Sequence, residues 1–79
     1  MKVAVRLFGP LAERAGTASI DVVPAAPSVG AVVDAAVAAL PSLRLDASVR
    51  FALNTDYAPR DAAVREGDVV SLIPPVGGG

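Results

Sequence analysis

The chain has 79 residues, 53% hydrophobic and 19% charged, with a formal net charge of -1. That length allows one small domain with a thin stability margin, and the composition is too apolar for intrinsic disorder. Cys and His are both absent, which removes a disulfide framework, a thiolate nucleophile, the usual general base and the commonest metal ligands.

Trp is absent and aromatic residues make up only 4% of the chain, which leaves little material for stacking bases. A sequence pI near 5.0 lacks the basic footprint of a nucleic-acid binder. The opening Met1-Lys2 and the apolar run after it, broken by Arg6, do not form a signal-peptide core. No later stretch is long and apolar enough to span a membrane. The expectation is a soluble, cytoplasmic protein that engages neither nucleic acid nor membrane.

In chain order, Lys2 to Phe8 alternates, with Val3, Val5 and Leu7 on one side and Lys2, Ala4, Arg6 and Phe8 on the other. A period of two predicts a half-buried strand. Gly9-Pro10 ends it, and Leu11 to Ala15 is long enough for a single helical turn. Ser19 to Val23 predicts a second strand with Ile20 and Val22 on one face, stopped by Pro24 and Pro27. Ser28 is a good N-cap, although Ala31 precludes a capping box. Val29, Val32, Val33, Ala36, Val37 and Leu40 then share one helical face, and Pro41 ends the helix.

Ser42 to Ala47 reads as a connector. Val49 to Asn54 alternates again, with Val49, Phe51 and Leu53 inward, and Asn54-Thr55-Asp56 is a turn before a short strand at Tyr57. Pro59 to Val64 is a loop, and Arg65 to Asp68 is a turn around Gly67. Val69 to Ile73 is the last strand, closed by Pro74-Pro75.

One long helix among these strands predicts a single mixed sheet packed on it, with the first and last strands adjacent and parallel in the middle. That layout is an α+β β-grasp, or ubiquitin-like, roll. A ferredoxin-like fold is the competitor, and a second long helix is missing. The expected organisation is a domain over residues 1–76 and a flexible glycine tail over residues 77–79.

The carboxylates are scattered singly, the serines have no His to activate them, and no helix follows Gly77-Gly78-Gly79 to make a phosphate loop. The distinctive feature is the end. Pro-Pro is stiff and extended, and glycine threads spaces that a Cβ would block. Two readings are open: a frayed terminus, or an arm that delivers its own carboxylate to another protein's active site.

The residues resemble a known family across nearly the whole chain. Phe8 to Gly16 is similar to a family pattern of Phe, then Glu five residues on, then Gly three further. Ser28-Val29 resembles its helix start, and Phe51 to Asn54 its strand ending in Asn. Gly67-Asp68, a strand, Pro74-Pro75-Val76 and a terminal Gly78-Gly79 follow in family order. The chain is similar to the small sulfur-carrier subunit of molybdopterin synthase (the MoaD type), within the MoaD/ThiS group. There are two departures: Gly77 stands where the family has Ser or Thr, and Arg6 occupies a strand position that is often apolar.

The resemblance implies that Gly79 is the reactive terminus, adenylated and then converted to a thiocarboxylate that donates sulfur to a cyclic pyranopterin precursor in molybdenum cofactor biosynthesis. It implies no metal site and no cofactor held by this chain, with ATP used by an activating enzyme. The implied partners are the large synthase subunit (MoaE type), which would supply the catalytic groups, and an adenylating E1-like enzyme (MoeB type). Phe8 and Ile73 would face the partner, and Pro74, Pro75, Val76, Gly77 and Gly78 would fill its channel. For Phe8 and Ile73 the alternative is ordinary core, since apolar residues usually end up inside. Other functional readings are a sulfur carrier for thiazole or cysteine biosynthesis, a ubiquitin-like protein modifier, and an interaction module with an inert tail.

Overall fold

The computed structural model describes residues 1–75. The expected glycine tail, together with Val76, lies outside the described residues. The elements in order are β1 (Val3–Leu7), α1 (Pro10–Ala15), β2 (Ser19–Val22), α2 (Val29–Ala39), β3 (Arg50–Leu53), β4 (Asp56–Tyr57) and β5 (Val69–Ile73). The five strands form one sheet in the order β2-β1-β5-β3-β4. β1 runs parallel to β5 in the middle, and the other pairs are antiparallel.

Alternation assigns the two faces of the sheet. Val3, Val5 and Leu7 of β1 and Val70 and Leu72 of β5 are buried on one face. They meet Val29, Val32, Val33 and Ala36 of α2, with Leu11 of α1 closing one end. Val37 is 38% exposed, so the buried stripe of α2 is narrower than the apolar pattern suggests. Leu40, before Pro41, adopts φ -126 and ψ 78, the extended geometry that a following proline imposes.

Three strands are shorter than the sequence pattern predicts. Val23 is 71% exposed because β2 already reaches Val3, near the start of β1, at Val22 and has no partner beyond it. Phe8 leaves β1 as the chain turns at Gly9, whose φ is 51. β3 ends at Leu53 because Asn54 takes a left-handed φ of 56. The helical turn after β1 is longer than Leu11 to Ala15: it starts at Pro10, where a missing N–H costs nothing.

The loops carry core residues as well. Leu43 and Val64 are almost fully buried. Leu43 is held by Arg14, whose Nε donates to the Leu43 carbonyl at 3.1 Å and whose Nη2 donates to that of Arg44 at 2.9 Å. Val64 donates its N–H to the Pro27 carbonyl at 3.1 Å, stitching the 59–64 loop to the start of α2.

Candidate functional site

With α2 on one face of the sheet, the other face stays open. β1 presents Ala4 and Arg6 there, β5 presents Val69, Ser71 and Ile73, and β3 presents Arg50 and Ala52. The registers set these positions: Arg6 lies opposite Ser71, Ser71 opposite Ala52, Ile73 opposite Arg50, and Ala52 opposite Tyr57 of β4. Phe8, one residue past β1, continues the outward parity and is 45% exposed. Phe8 is therefore not part of the core. Ile73 is half-buried and likewise lies on the open face.

Small residues make a hollow in this face. Ala52 and Ser71 form its floor, Phe8, Ile73 and Tyr57 its walls, and Asn54 and Thr55 its rim, enclosing about 270 Å³. The rim is rigid. The Asn54 side chain accepts from the Val69 N–H at 3.0 Å and donates to Asp68 at 3.3 Å, and its own N–H donates to the Val69 carbonyl at 2.7 Å. This clasp holds the left-handed turn at Asn54, a residue that tolerates that conformation better than most.

The chain leaves the sheet beside the hollow. β5 ends at Ile73, Pro74 is half-buried and Pro75 is exposed. Pro74 lies over Gly9: a Cβ at Gly9 would stand 3.7 Å from the Pro74 ring. A cleft of about 220 Å³ flanks the exit, lined by Pro10, Leu11, Arg14, Asp46, Ser48, Val49 and the two prolines. The Ser48 hydroxyl donates to the Asp46 carboxylate, and its N–H adds a second bond at 2.8 Å. Those two bonds hold the Asp46 carboxyl below its ordinary value.

Phe8, Ile73, Pro74 and Pro75 are thus brought together at one end of the sheet. Val76, Gly77, Gly78 and Gly79 lie outside the described residues. Sequence reasoning did not single out Ala52, Ser71, Arg50 or Tyr57. Their outward parity was available as the complement of Phe51, Leu53, Val70 and Leu72. Small residues carry no signal of their own, however, and only the strand order shows that they adjoin.

Other places are less suited to chemistry. The first backbone donors of α2 are taken: Val29 N–H by the Ala62 carbonyl at 2.9 Å, Gly30 by Arg60 at 2.8 Å, and Ala31 by the Ser28 hydroxyl at 3.1 Å. No N–H of that turn is left for an anion. A larger, open depression of about 440 Å³ runs along β3 and β4. Its Arg60 is engaged with Asp34 at 2.8 Å. Among the described residues, no three potential metal ligands cluster, and no helix is long and apolar enough to cross a membrane.

A mixed five-stranded sheet packed on one main helix, with its last strand central and running out at the rim of an open face, defines a ubiquitin-like β-grasp domain. The chain belongs to the ThiS family, whose model matches residues 5–79. Its structure is similar to SAMP1 from Haloferax volcanii, at 32% identity and a TM-score of 0.89 over 100% of both chains. It is similar to a putative molybdopterin converting factor subunit 1 from Pyrococcus furiosus, at 26% identity and a TM-score of 0.82, over 96% of this chain and 99% of that one. It also resembles a chain in the complex of subunits 1 and 2 of the molybdopterin-converting factor from Helicobacter pylori 26695, at 28% identity and a TM-score of 0.72 over 100% of both.

Proposed function

We propose that this chain is a cytoplasmic sulfur carrier that serves as the small subunit of a molybdopterin synthase. Gly79 provides the reactive carboxylate. An adenylating E1-like enzyme binds ATP, the carboxylate oxygen attacks the α-phosphorus, and pyrophosphate leaves. A carboxylate is a poor electrophile until it carries a good leaving group, and adenylation supplies one. A sulfide-level sulfur from a donor then displaces AMP and leaves a thiocarboxylate. That group delivers its sulfur to cyclic pyranopterin monophosphate in the active site of a large partner subunit.

The observation that carries this reading is the exit of the central strand. β5 runs from the middle of the sheet to Pro74 and Pro75, beside an exposed Phe8 and a half-buried Ile73. Docking on that face would fix the strand that leads to the tail, and Pro-Pro would keep the tail extended. Gly77 and Gly78 would pass a channel too narrow for side chains. The chain's inventory fits the division of labour: with no His and no Cys, transfer chemistry is left to the partner.

A second reading has its own support. SAMP1 from Haloferax volcanii, a small archaeal modifier protein, is 32% identical across the full length, which favours a role as a ubiquitin-like modifier with the same activated terminus. The deciding experiment is a pull-down from the native host with an N-terminal tag, leaving Gly79 free. Recovery of the large synthase subunit and an adenylating enzyme is expected. Recovery of a thiazole or cysteine synthase keeps the carrier chemistry and moves the pathway. Recovery only of unrelated proteins joined through isopeptide bonds overturns the carrier reading in favour of the modifier.

A further inference from the structure

The open face is charged in a way the whole chain is not. The molecule carries a net charge of -1, yet the outward positions of the sheet are positive. Lys2 faces Asp21 at 4.0 Å, and Asp21 is the one carboxylate that strand alternation places on this face among the described residues. Arg6 and Arg50 remain. Neither has a carboxylate within 4.0 Å among the described residues, whereas Arg60, outside the face, is paired with Asp34.

The register sets the two arginines on either side of β5, near the hollow although neither lines it. Arg6 lies opposite Ser71 and Arg50 opposite Ile73, on the strands either side of β5. Two strand spacings and a two-residue offset put their Cα atoms about 12 Å apart. Arg50 is steadied by Tyr57, with its guanidinium 5.6 Å from the ring centroid. Next to the arginines lies a depression floored by Ala52 and Ser71, with apolar walls at Phe8 and Ile73, a polar rim at Asn54 and Thr55, and room for one side chain.

We propose that the protein partner covering this face seats a single apolar side chain in the Ala52–Ser71 hollow and presents carboxylates to Arg6 and Arg50 on either side of β5. This rests on the carrier reading, which supplies the partner, and adds the chemistry by which the partner is recognised. The guanidiniums pay little desolvation while exposed and form charge-assisted, bidentate pairs when a carboxylate arrives. A second copy of this chain is disfavoured, because face-to-face pairing would set a net positive surface against itself. Arg6, exposed and without a carboxylate partner among the described residues, would then select a partner with a matching acid.

The test uses the full-length, N-terminally tagged chain with the purified large synthase subunit and adenylating enzyme of the same organism. Wild type is compared with Arg6→Gln, Arg50→Gln, the double variant and Ala52→Leu, with circular dichroism as the fold control. The double variant is expected to bind at least one of the two proteins about tenfold more weakly, mostly through slower association. Raising the salt concentration should bring wild type down to the level of the double variant. Ala52→Leu, which fills the hollow, should weaken the same complex while the arginine-dependent salt response persists. Double-variant binding as tight as wild type to every protein that wild type binds overturns this inference and leaves the carrier reading standing. Binding of neither protein by wild type overturns both.

Discussion

Gly9 holds φ 51 and ψ -129, a combination that a residue with a Cβ adopts only under strain. It sits where β1 turns into α1 and directly beneath Pro74. Gly9→Ala should cost about 1–3 kcal/mol, lowering the melting temperature by several degrees in a domain of this size. It should also weaken partner binding beyond the stability loss, because the turn that supports the tail base must shift. Thermal melts and titration against whichever partner the pull-down recovers separate the two effects. Asp46, at the neighbouring cleft, carries a different signature. Its carboxyl is held low by the Ser48 hydroxyl and then by the Ser48 N–H. A folded-state value below the unfolded one stabilises the native state above the ordinary carboxylate range, and this contribution is lost as pH falls through the lowered value. NMR titration should find Asp46 ionising at lower pH than in Ser48→Ala, which returns it toward the ordinary range. The sequence shows both residues but neither role: Gly9 looks like any turn glycine until Pro74 is seen above it.

At the level of elements, α2 depends on its first turn. It is rich in valine, a mediocre helix former, so capping and packing stabilise it more than propensity does. Ser28 accepts the Ala31 N–H at 3.1 Å, and the 59–64 loop supplies carbonyls to the two residues before it. Ser28→Ala should therefore cost about 1 kcal/mol, read as a reduced urea midpoint with an unchanged m-value. The helix and its cap were legible because the apolar spacing is regular and Ser28 directly precedes it. The docked loop was not. Val64 is a single apolar residue without periodicity, and Gly30 gives no sign that a Cβ there would stand 3.2 Å from the Arg60 carbonyl oxygen. Leu43 escaped notice for a similar reason, since Pro41-Ser42-Leu43-Arg44-Leu45-Asp46 is too short and mixed to show a period. The alternation in β1 was plain, and the strongly apolar first and last strands gave the parallel central pair. What alternation alone leaves open is which of two faces is covered. Phe8 could therefore be read as core or as surface until the sheet was seen with α2 on the opposite side.

For the molecule as a whole, the pairing that matters most joins the two ends of the chain. β1 and β5 lie side by side at the centre, and β3 and β4 join β1 and β2 through β5. A chain lacking β5 would leave β1 and β3 with exposed, unpaired edges and an apolar face half uncovered. Such long-range closure comes late, because the entropy of bringing distant segments together is spent before the contacts return it. The topology therefore works as an inspection of the chain's own synthesis. A copy truncated before Val69 lacks the strand that joins the two halves of the sheet. Any copy whose sheet has closed already carries its exit strand in register with β1 and β3.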